Sequence, residues 1–331
     1  MSLERFAVPR ALAGQRVDRV VAIVTGRSRR EVAELIAEHR VRVAGRVATR
    51  QKRVVLGEEL EVELDAAGPA PSPLVADATV AFGVVYEDPD LVVVDKPAGV
   101  VVHPGAGQRE HTLAAGLIAR FPDLAAAAAD GTFAPERPGL VHRLDKQTSG
   151  LLVVARNEAS FRALSAQLAE RTMGRRYVTL VRGTLPADAG TIDAPIARSL
   201  REPTKMAVRA EGRTARTHYE VLERYGAPLE ATLCSIRLET GRTHQIRVHF
   251  AAIGHPVLGD VRYGGACREL PLARPFLHAT ELRLRHPRRD EELVVTSALP
   301  EELQRVLDLL RATPSPPQAT PQARAQHAPT R

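Results

Sequence analysis

The apolar residues of the first part of the chain recur with the period of short helices. Four valines stand at positions i, i+3, i+4 and i+7, the pattern of one buried helix face: Val17, Val20, Val21 and Val24. Residues 28–31 (SRRE) then form a capping box, and they are followed by a second apolar face made of Val32, Leu35 and Ile36. We therefore predict two short amphipathic helices, one over residues 16–24 and one that begins at Ser28.

Alternation of apolar and polar residues predicts strands directly after these helices. Around the Ala44-Gly45 turn, apolar positions alternate with arginines, which predicts a β-hairpin that contains Val41, Arg42, Val43, Arg46 and Val47. A further alternating stretch predicts a strand through Leu60, Val62 and Leu64. The first 65 residues are thus expected to form one small unit of helices and strands.

The rest of the chain has shorter apolar runs without a regular strand–helix alternation. Strands are predicted at residues 91–94, 151–155, 177–181 and 246–250, and a helix is predicted at 161–168. This order favours an α+β fold with a mixed, mainly antiparallel sheet rather than a parallel α/β fold.

Composition and charge indicate which kind of partner the protein binds. The 331 residues carry a formal charge of +7, and the charge is unevenly placed, with twelve Arg or Lys and four acids between Arg10 and Arg53. Between Val54 and Asp95 there are ten acids and no base. The basic stretch predicts a surface for a polyanion such as RNA. Because 42 of the 46 bases are Arg, a single Arg position carries little information.

Cysteine usage and hydropathy indicate where such a protein works. Cys234 and Cys267 have no CxxC partner, so neither a disulfide framework nor a thiolate zinc site is expected. The N-terminus lacks an apolar signal sequence, and no window approaches the length of a membrane span. We expect a cytoplasmic protein, without membrane association and monomeric.

The chain is predicted to divide into four parts. Residues 1–65 form the first domain, and the Ala-, Gly- and Pro-rich residues 66–76 form a linker. Residues 77–311 form a larger domain. Residues 312–331 are rich in Pro, Gln, Thr and Ala, a composition typical of a disordered tail.

Asp145 is the candidate for chemistry. It lies in a polar loop before the apolar run 151–155, with Arg143 and Lys146 beside it. These positive charges favour the carboxylate form, which can accept a proton or attack carbon. The alternative is a surface turn in which Asp145 is only salt-bridged. Phosphate-loop, dinucleotide-binding and HExxH motifs are absent from the sequence, so we expect neither cofactor nor metal.

Several segments resemble the RluA family of pseudouridine synthases, and within it the RluD-type branch that carries an S4 domain. In the larger domain the resemblance rests on four motifs in the family's order: residues 86–105 (YEDPDLVVVDKPAG through VHPG), 142–150 (HRLDKQTSG), 176–177 (RY) and 240–249 (TGRTHQIRVH) with GHP at 254–256 and GD at 259–260. In the N-terminal part, residues 15–19, 28–30 and 40–46 resemble the S4 RNA-binding domain. The resemblance covers nearly everything from residue 14 to about 311.

The resemblance implies an isomerase with the pseudouridine synthase fold and a small S4 (α-L) domain. Its substrate would be uridine in RNA, namely in the large-subunit (23S) ribosomal RNA or a ribosome assembly intermediate, with roles in rRNA processing and ribosome biogenesis. It implies that Asp145 is the catalytic Asp, that Tyr177 stacks on the uracil and mediates proton transfer through its hydroxyl, and that Arg247 pairs with Asp145. Without the resemblance, Tyr177 would be interpreted as an aromatic residue of the strand core. Three first steps stay open for Asp145: attack on the anomeric carbon, addition to the uracil ring, or removal of a ribose proton.

RNA contacts are predicted for arginines in both domains. Arg143 either fills the space left by a flipped base, clamps a phosphate or forms a plain ion pair. Phosphate contacts are predicted for Arg242 in the larger domain and for five arginines of the S4-like domain: Arg16, Arg27, Arg29, Arg30 and Arg42. Lys96 has either a specific local role or a structural salt bridge.

Two other classes of protein remain as alternatives. One is a noncatalytic RNA-binding or ribosome-assembly protein, which would gain nothing from a carboxylate that faces phosphates. The other is a glycoside hydrolase, which usually needs two carboxylates, and the sequence shows no convincing second acid near Asp145.

Overall fold

The computed structural model describes residues 2–8, 12–25, 27, 29–64, 74–105, 108–202 and 204–313. Most of the predicted linker and nearly all of the predicted tail lie outside these ranges. The chain divides into two compact units, Met1–Ser72 and Pro73–Arg331. In the described ranges, no helix combines the length and apolar character needed to cross a membrane.

The first unit packs two helices on a four-stranded antiparallel sheet. Its elements are β1 (Ser2–Ala7), α1 (Val17–Thr25), α2 (Arg29–Ala37), β2 (Val41–Val43), β3 (Arg46–Val47) and β4 (Glu59–Leu64), with strand order β1-β4-β2-β3. The apolar helix faces meet the strands in one core that includes Val20, Leu35, Val41 and Leu60. The predicted helices, hairpin and strand are confirmed, although Ser28 itself is outside the described residues. Strand β1 was not predicted.

The second unit is built on a nine-stranded sheet. The strands of this sheet are β5 (Gly83–Glu87), β6 (Leu91–Lys96), β7 (Ser149–Ala155), β8 (Gly174–Arg182), β9 (Ala189–Asp193), β12 (Arg216–Tyr225), β13 (Ala231–Leu238), β14 (Leu277–Arg285) and β15 (Glu292–Thr296). A separate two-stranded sheet consists of β10 (Ile196–Arg198) and β11 (Met206–Val208). The helices are α3 (Leu113–Arg120), α4 (Pro122–Ala129), α5 (Glu158–Ala169), α6 (Gln245–Ala252) and α7 (Glu301–Ala312), with a 3-10 turn at Val261–Tyr263.

The sheet is mixed and mainly antiparallel, as predicted. Its order is β5-β6-β7-β14-β8-β13-β12-β9, and β15 pairs with β14. Strands β7 and β14 are parallel, whereas the other described pairs of this sheet are antiparallel. The loop that precedes β7 therefore enters the middle of the sheet, where neighbouring strands restrict its movement.

Both faces of β6 and β7 are buried, which explains their uninterrupted apolar runs. In β7, Leu152 and Val154 pack into the cluster that also holds residues of α3 and α6. The alternate residues Leu151 and Val153 pack with Leu164 of α5 on the other face. The strands predicted at 91–94, 151–155 and 177–181 and the helix predicted at 161–168 are confirmed.

The strand predicted at residues 246–250 is wrong, because this segment is the helix α6. Residues Gln245 to Phe250 are all buried, so α6 has no polar face to show a helical period. A short buried run with Ile246 and Val248 has the same appearance in a helix and in a strand. The correction matters for the site, since α6 carries Arg247 into it.

Candidate active site

A cavity of about 640 Å³ in the second unit brings the predicted site residues of this unit together. Its lining includes all five of them: Arg143, Asp145, Tyr177, Arg242 and Arg247. They come from the loop before β7, from β8 and from the segment around the start of α6. Residues up to about a hundred positions apart in the sequence thus share one site. Their closeness in space is visible only in the folded structure.

The backbone around Asp145 is fixed by a local turn and by hydrogen bonds from a different part of the chain. The amide of Thr148 donates to the carbonyl of Asp145 at 3.1 Å, which closes a turn. The carbonyl of Lys146 accepts from the amide of Gly99 at 2.8 Å and from Nζ of Lys96 at 3.3 Å. Lys96 is fully buried and also donates to the carbonyls of Pro97 and Val100, so it holds two loops together. The salt-bridge interpretation of Lys96 is not supported, because these partners are carbonyls.

Gly150 lies at the start of β7, where the loop that carries Asp145 joins the sheet. Its φ of 111° lies in a region that L side chains rarely adopt. A Cβ at this position would lie 2.3 Å from the carbonyl oxygen of Ala279 on the parallel strand β14. Only glycine permits this close approach between β7 and β14 next to the loop that carries Asp145.

The carboxylate of Asp145 is held by Arg247. Nη1 of Arg247 donates to Oδ2 of Asp145 at 3.1 Å, while Nε and Nη2 of Arg247 donate to the two oxygens of Asp260 at 2.6 and 3.0 Å. No described residue donates to Oδ1 of Asp145. Burial opposes the charge of Arg247, but Asp260 and Asp145 outweigh it and raise the pKa of Arg247. The side chain of Asp145 is 15% exposed, so it stays reachable from the cavity.

Tyr177 supplies an aromatic ring to the cavity wall. It lies on β8 and is 6% exposed, with burial raising the pKa of its hydroxyl and Arg175 opposing this shift. The phenol therefore keeps its proton at neutral pH. A flat ring with a proton-bearing hydroxyl is suited to contact with an aromatic base.

The cavity is strongly basic. Seven arginines line it, against two carboxylates, Asp145 and Glu239: Arg137, Arg143, Arg171, Arg175, Arg213, Arg242 and Arg247. Arg143 is exposed, and in the described part of the chain no carboxylate pairs with it, so the plain ion-pair alternative is not supported. Nε of Arg242 donates to the carbonyl of Thr214 at 3.0 Å. Burial lowers the pKa of Arg242, and the charges of Arg213 and Arg171 add to the lowering. Such a concentration of positive charge suits a phosphate-bearing ligand.

Comparisons with known proteins agree with this geometry. Residues 90–252 match the family model described as RNA pseudouridylate synthase. The ribosomal large subunit pseudouridine synthase D of Xanthomonas campestris is 41% identical over 324 residues, which cover 94% of this chain and 93% of the relative. The relative of the same name from Pseudomonas aeruginosa is also 41% identical, over 92% of this chain and 94% of that protein. The chain belongs to the RNA pseudouridine synthase family.

A solved structure supports the fold of this synthase. The human RNA pseudouridylate synthase domain containing 1 is 30% identical and has a TM-score of 0.52, and the match covers 73% of this chain and 98% of that chain. The family model and the bacterial relatives show that the synthase is of the RluA type and is an isomerase that acts on RNA. The predicted resemblance to this family is confirmed.

The arginines predicted to bind RNA in the first unit of the synthase differ in their surroundings. Arg42 is exposed on β2, with its side chain opposite the buried face of the strand. Arg16 pairs with Asp18 at 3.1 Å, and Arg27 pairs with Glu31 at 3.7 Å. The side chains of Arg29 and Arg30 lie outside the described residues.

Two histidines of the synthase, a residue type that often binds metals, are engaged with protein groups instead. His249 bonds to Thr217 and to the carbonyl of Ala194, and His255 bonds to the carbonyl of Arg182. Within the described ranges one group of side chains is close enough to share an ion, and its members are Asp88, Asp90 and His286. Asp88 already accepts hydrogen bonds from Tyr86, His286 and Arg289. This group does not line the cavity.

The sequence did not show that three further residues lie close to Asp145. Asp260 orients Arg247, His244 places Nε2 at 4.0 Å from Oδ2 of Asp145, and Tyr263 bonds to His244 at 2.8 Å. The GD motif at 259–260 was the available signal for Asp260. Asp260 is a second acid near Asp145, the feature that a glycoside hydrolase would need. Both of its oxygens accept hydrogen bonds from Arg247, so it is not a free carboxylate.

Proposed function

We propose that this synthase converts uridine to pseudouridine in large-subunit ribosomal RNA, with Asp145 as its catalytic carboxylate. The observation that carries the proposal is the pairing of Asp145 with Arg247 inside a basic cavity. The substrate assignment is supported by the ribosomal large subunit relatives that match over most of the chain. A noncatalytic RNA-binding protein would have no use for a carboxylate held in this way.

In the proposed mechanism the target uridine leaves its stack and enters the cavity. Extrusion of a base costs roughly a few kcal/mol, and binding in the pocket has to supply this energy. Tyr177 stacks on the uracil, and the exposed Arg143 fills the vacated space or binds the flanking phosphate. Arg242 contacts the RNA backbone at the rim of the cavity.

The chemistry is an isomerisation within one nucleotide. The bond between N1 of uracil and C1′ of ribose breaks, the base turns, and a bond forms between C5 and C1′. The proton on C5 is lost, and N1 gains one, so substrate and product have the same composition. Oδ1 of Asp145 has no donor among the described residues and is the carboxylate oxygen available to the nucleotide. No oxidant or energy donor enters this balance.

The first unit is proposed to be an S4-type RNA-binding domain, acting in a cytoplasmic protein. Two helices on a small sheet, with the exposed Arg42 on the hairpin strand, support this assignment. A rigid basic face of this kind binds phosphates without reading bases. The two free cysteines agree with a reducing compartment.

Asp145→Asn tests the catalytic role. The change keeps the shape of the side chain and removes its charge, so we expect turnover on a large-subunit rRNA transcript to fall by more than ~100-fold. Pseudouridine would be mapped by carbodiimide adducts and primer extension, with wild type and variant treated in parallel in a buffer without metal or nucleotide.

RNA binding by the same variant is the control. We expect the Kd of Asp145→Asn to stay within about 3-fold of wild type, because the RNA is bound mainly through its phosphates. Wild-type turnover by Asp145→Asn would contradict the catalytic role. Modification of other RNA, with no new stops on large-subunit transcripts or precursor subunits, would contradict the substrate assignment.

A further inference from the structure

His244 occupies an unusual backbone conformation at the edge of the active site. It directly precedes α6, with φ of 57° and ψ of 22°, in the left-handed region that non-glycine residues seldom adopt. Its side chain is largely buried and lines the cavity beside Asp145. A strained residue at a functional site points to a role for its side chain, because a glycine would hold this conformation with less strain.

The hydrogen bonds of Tyr263 determine where the proton of His244 lies. The hydroxyl of Tyr263 accepts from the backbone amide of Met206 at 3.0 Å and lies 2.8 Å from Nδ1 of His244. A tyrosine hydroxyl has one proton, and within the described residues Nδ1 is the acceptor within reach of it. Nδ1 therefore accepts, and the ring proton of a neutral His244 is on Nε2.

The surroundings keep the imidazole neutral. Burial lowers the pKa of His244, Asp145 opposes this effect, and the positive charges of Arg247 and Arg262 add to the lowering. Tyr263 also contacts Arg247, whose guanidinium lies 5.0 Å from the centre of the tyrosine ring. Tyr263 thus touches both side chains that approach the carboxylate of Asp145.

The Nε2–H group of His244 is left as an available donor. Nε2 lies 4.0 Å from Oδ2 of Asp145, which is too far for a direct hydrogen bond. Among the described residues, no other acceptor bonds to Nε2. A donor fixed in orientation, next to the proposed catalytic carboxylate and facing a cavity, is placed to bind an oxygen of the ligand.

We propose that His244 is a further catalytic residue, which donates a hydrogen bond from Nε2 to an oxygen of the flipped nucleotide beside Asp145, while Tyr263 is the positioning residue that fixes its tautomer. The acceptor is a ribose hydroxyl or a uracil carbonyl. This proposal rests on the proposed role of Asp145.

Two substitutions of His244 separate the two ring nitrogens. The amide of Asn reproduces the position of Nδ1 and tolerates the left-handed backbone, but it has no donor at the position of Nε2. The longer Gln places its amide donor near the position of Nε2. We expect His244→Asn to lower kcat by ~10- to 100-fold with KM nearly unchanged, and His244→Gln to recover most of the loss despite its less favourable backbone.

We would measure kcat and KM of the wild type and of both variants on the RNA that the wild-type protein modifies. Thermal unfolding checks that the variants are folded. Wild-type kcat in His244→Asn would overturn the proposal, and so would a His244→Gln variant that is no faster than His244→Asn. RNA with 2′-deoxyuridine at the target distinguishes the acceptors. The defect of His244→Asn, relative to wild type, disappears on this RNA if the acceptor is the 2′-hydroxyl and persists if it is another oxygen of the nucleotide.

Tyr263→Phe tests the positioning role. Without the hydroxyl, the proton of His244 is free to move to Nδ1, so kcat should fall in the wild-type background but change little in the His244→Asn background. Equal losses in both backgrounds would show a merely structural role of Tyr263. Asp145→Asn measured in parallel keeps the two proposals apart, because turnover by that variant would overturn the role of Asp145 whatever the His244 variants do.

Discussion

Lys96 shows at the scale of one residue how burial changes a charge. Its Nζ lies within 2.7 to 3.3 Å of three carbonyl oxygens, those of Pro97, Val100 and Lys146. Burial lowers the pKa of Lys96 to about 7, an effect that Asp145 opposes and Arg274 reinforces. The group that anchors the Asp145 loop therefore titrates near neutral pH.

This shift predicts a stability that rises with pH. Below pH about 7 Lys96 is charged in both the folded and the unfolded state, whereas between pH about 7 and the ordinary lysine pKa of 10.5 the unfolded chain binds one proton more. The free energy of unfolding should therefore increase by up to ~2 kcal/mol between pH 7 and pH 9. Urea unfolding at several pH values measures this increase.

Lys96→Met provides the comparison. It removes the titrating group and leaves the loop carbonyls unpaired, so we expect a lower free energy of unfolding than in the wild type. The increase of this free energy between pH 7 and pH 9 that Lys96 contributes should be absent from the variant. Parallel stability curves for wild type and Lys96→Met between pH 7 and pH 9 would show that Lys96 does not titrate in this range.

At the scale of elements, the start of α6 is held by the amide of Gln245. Its Oε1 accepts from the hydroxyl of Thr240 at 2.8 Å and from the amide of Arg242 at 3.0 Å. Its Nε2 donates to the carbonyl of Arg216 and to the hydroxyl of Thr217, each at 3.0 Å. All four hydrogen-bonding positions of the amide are used, so α6 and the loop before it are tied to β12.

Gln245→Glu should therefore destabilise the second unit. The change replaces the amide donor by an oxygen that faces the carbonyl of Arg216 in a buried site, and we expect a loss of ~2–4 kcal/mol in the free energy of unfolding. The same chemical change at the exposed Gln147 should cost less than about 0.5 kcal/mol. Urea unfolding measures the free energy of unfolding of the two variants. Equal values would disprove the role of the Gln245 amide in holding α6 to β12.

At the scale of the whole molecule, binding and chemistry are assigned to different units. Each unit has its own apolar core, Met1–Ser72 around residues such as Val20 and Leu60, and Pro73–Arg331 around residues such as Leu117 and Phe250. The cavity with Asp145 belongs to the second unit. A chain that begins at Pro73 should thus fold and keep its catalytic residues in place.

Removal of residues 1–72 is expected to weaken RNA binding more than turnover. With fewer phosphate contacts, the Kd should rise ~10- to 100-fold and the salt dependence of binding should become less steep, while kcat at saturating RNA stays within a few fold. Filter binding over a salt series and single-turnover kinetics measure both effects. Arg305→Ala, which removes one exposed positive charge from α7, shows how much the loss of a single charge outside the first unit affects the Kd. A truncated chain with unchanged Kd would refute the RNA-binding role of the first unit.

Local patterns in the sequence were enough to predict much of this protein. The period of Val17, Val20 and Val21 predicted α1, and the apolar run after Gly150 predicted β7, because helix and strand periods are set by the backbone itself. Four motifs in order, among them those that carry Asp145 and Arg247, were sufficient for the family. These features depend on neighbours in sequence, so they can be recognised without a structure.

Only the tertiary structure determined what surrounds those residues. Arg247 contacts Asp145 from the helix α6, whose sequence predicts a strand. The prediction fails because a segment that is buried on all sides has no alternation of apolar and polar residues with a helical period. One of the carbonyls around Lys96 belongs to Lys146, 50 residues further along the chain, and the hydroxyl beside Nδ1 of His244 belongs to Tyr263, 19 residues further along. Hydrogen-bond partners, burial and protonation depend on this three-dimensional arrangement, and no local pattern of residue types encodes them.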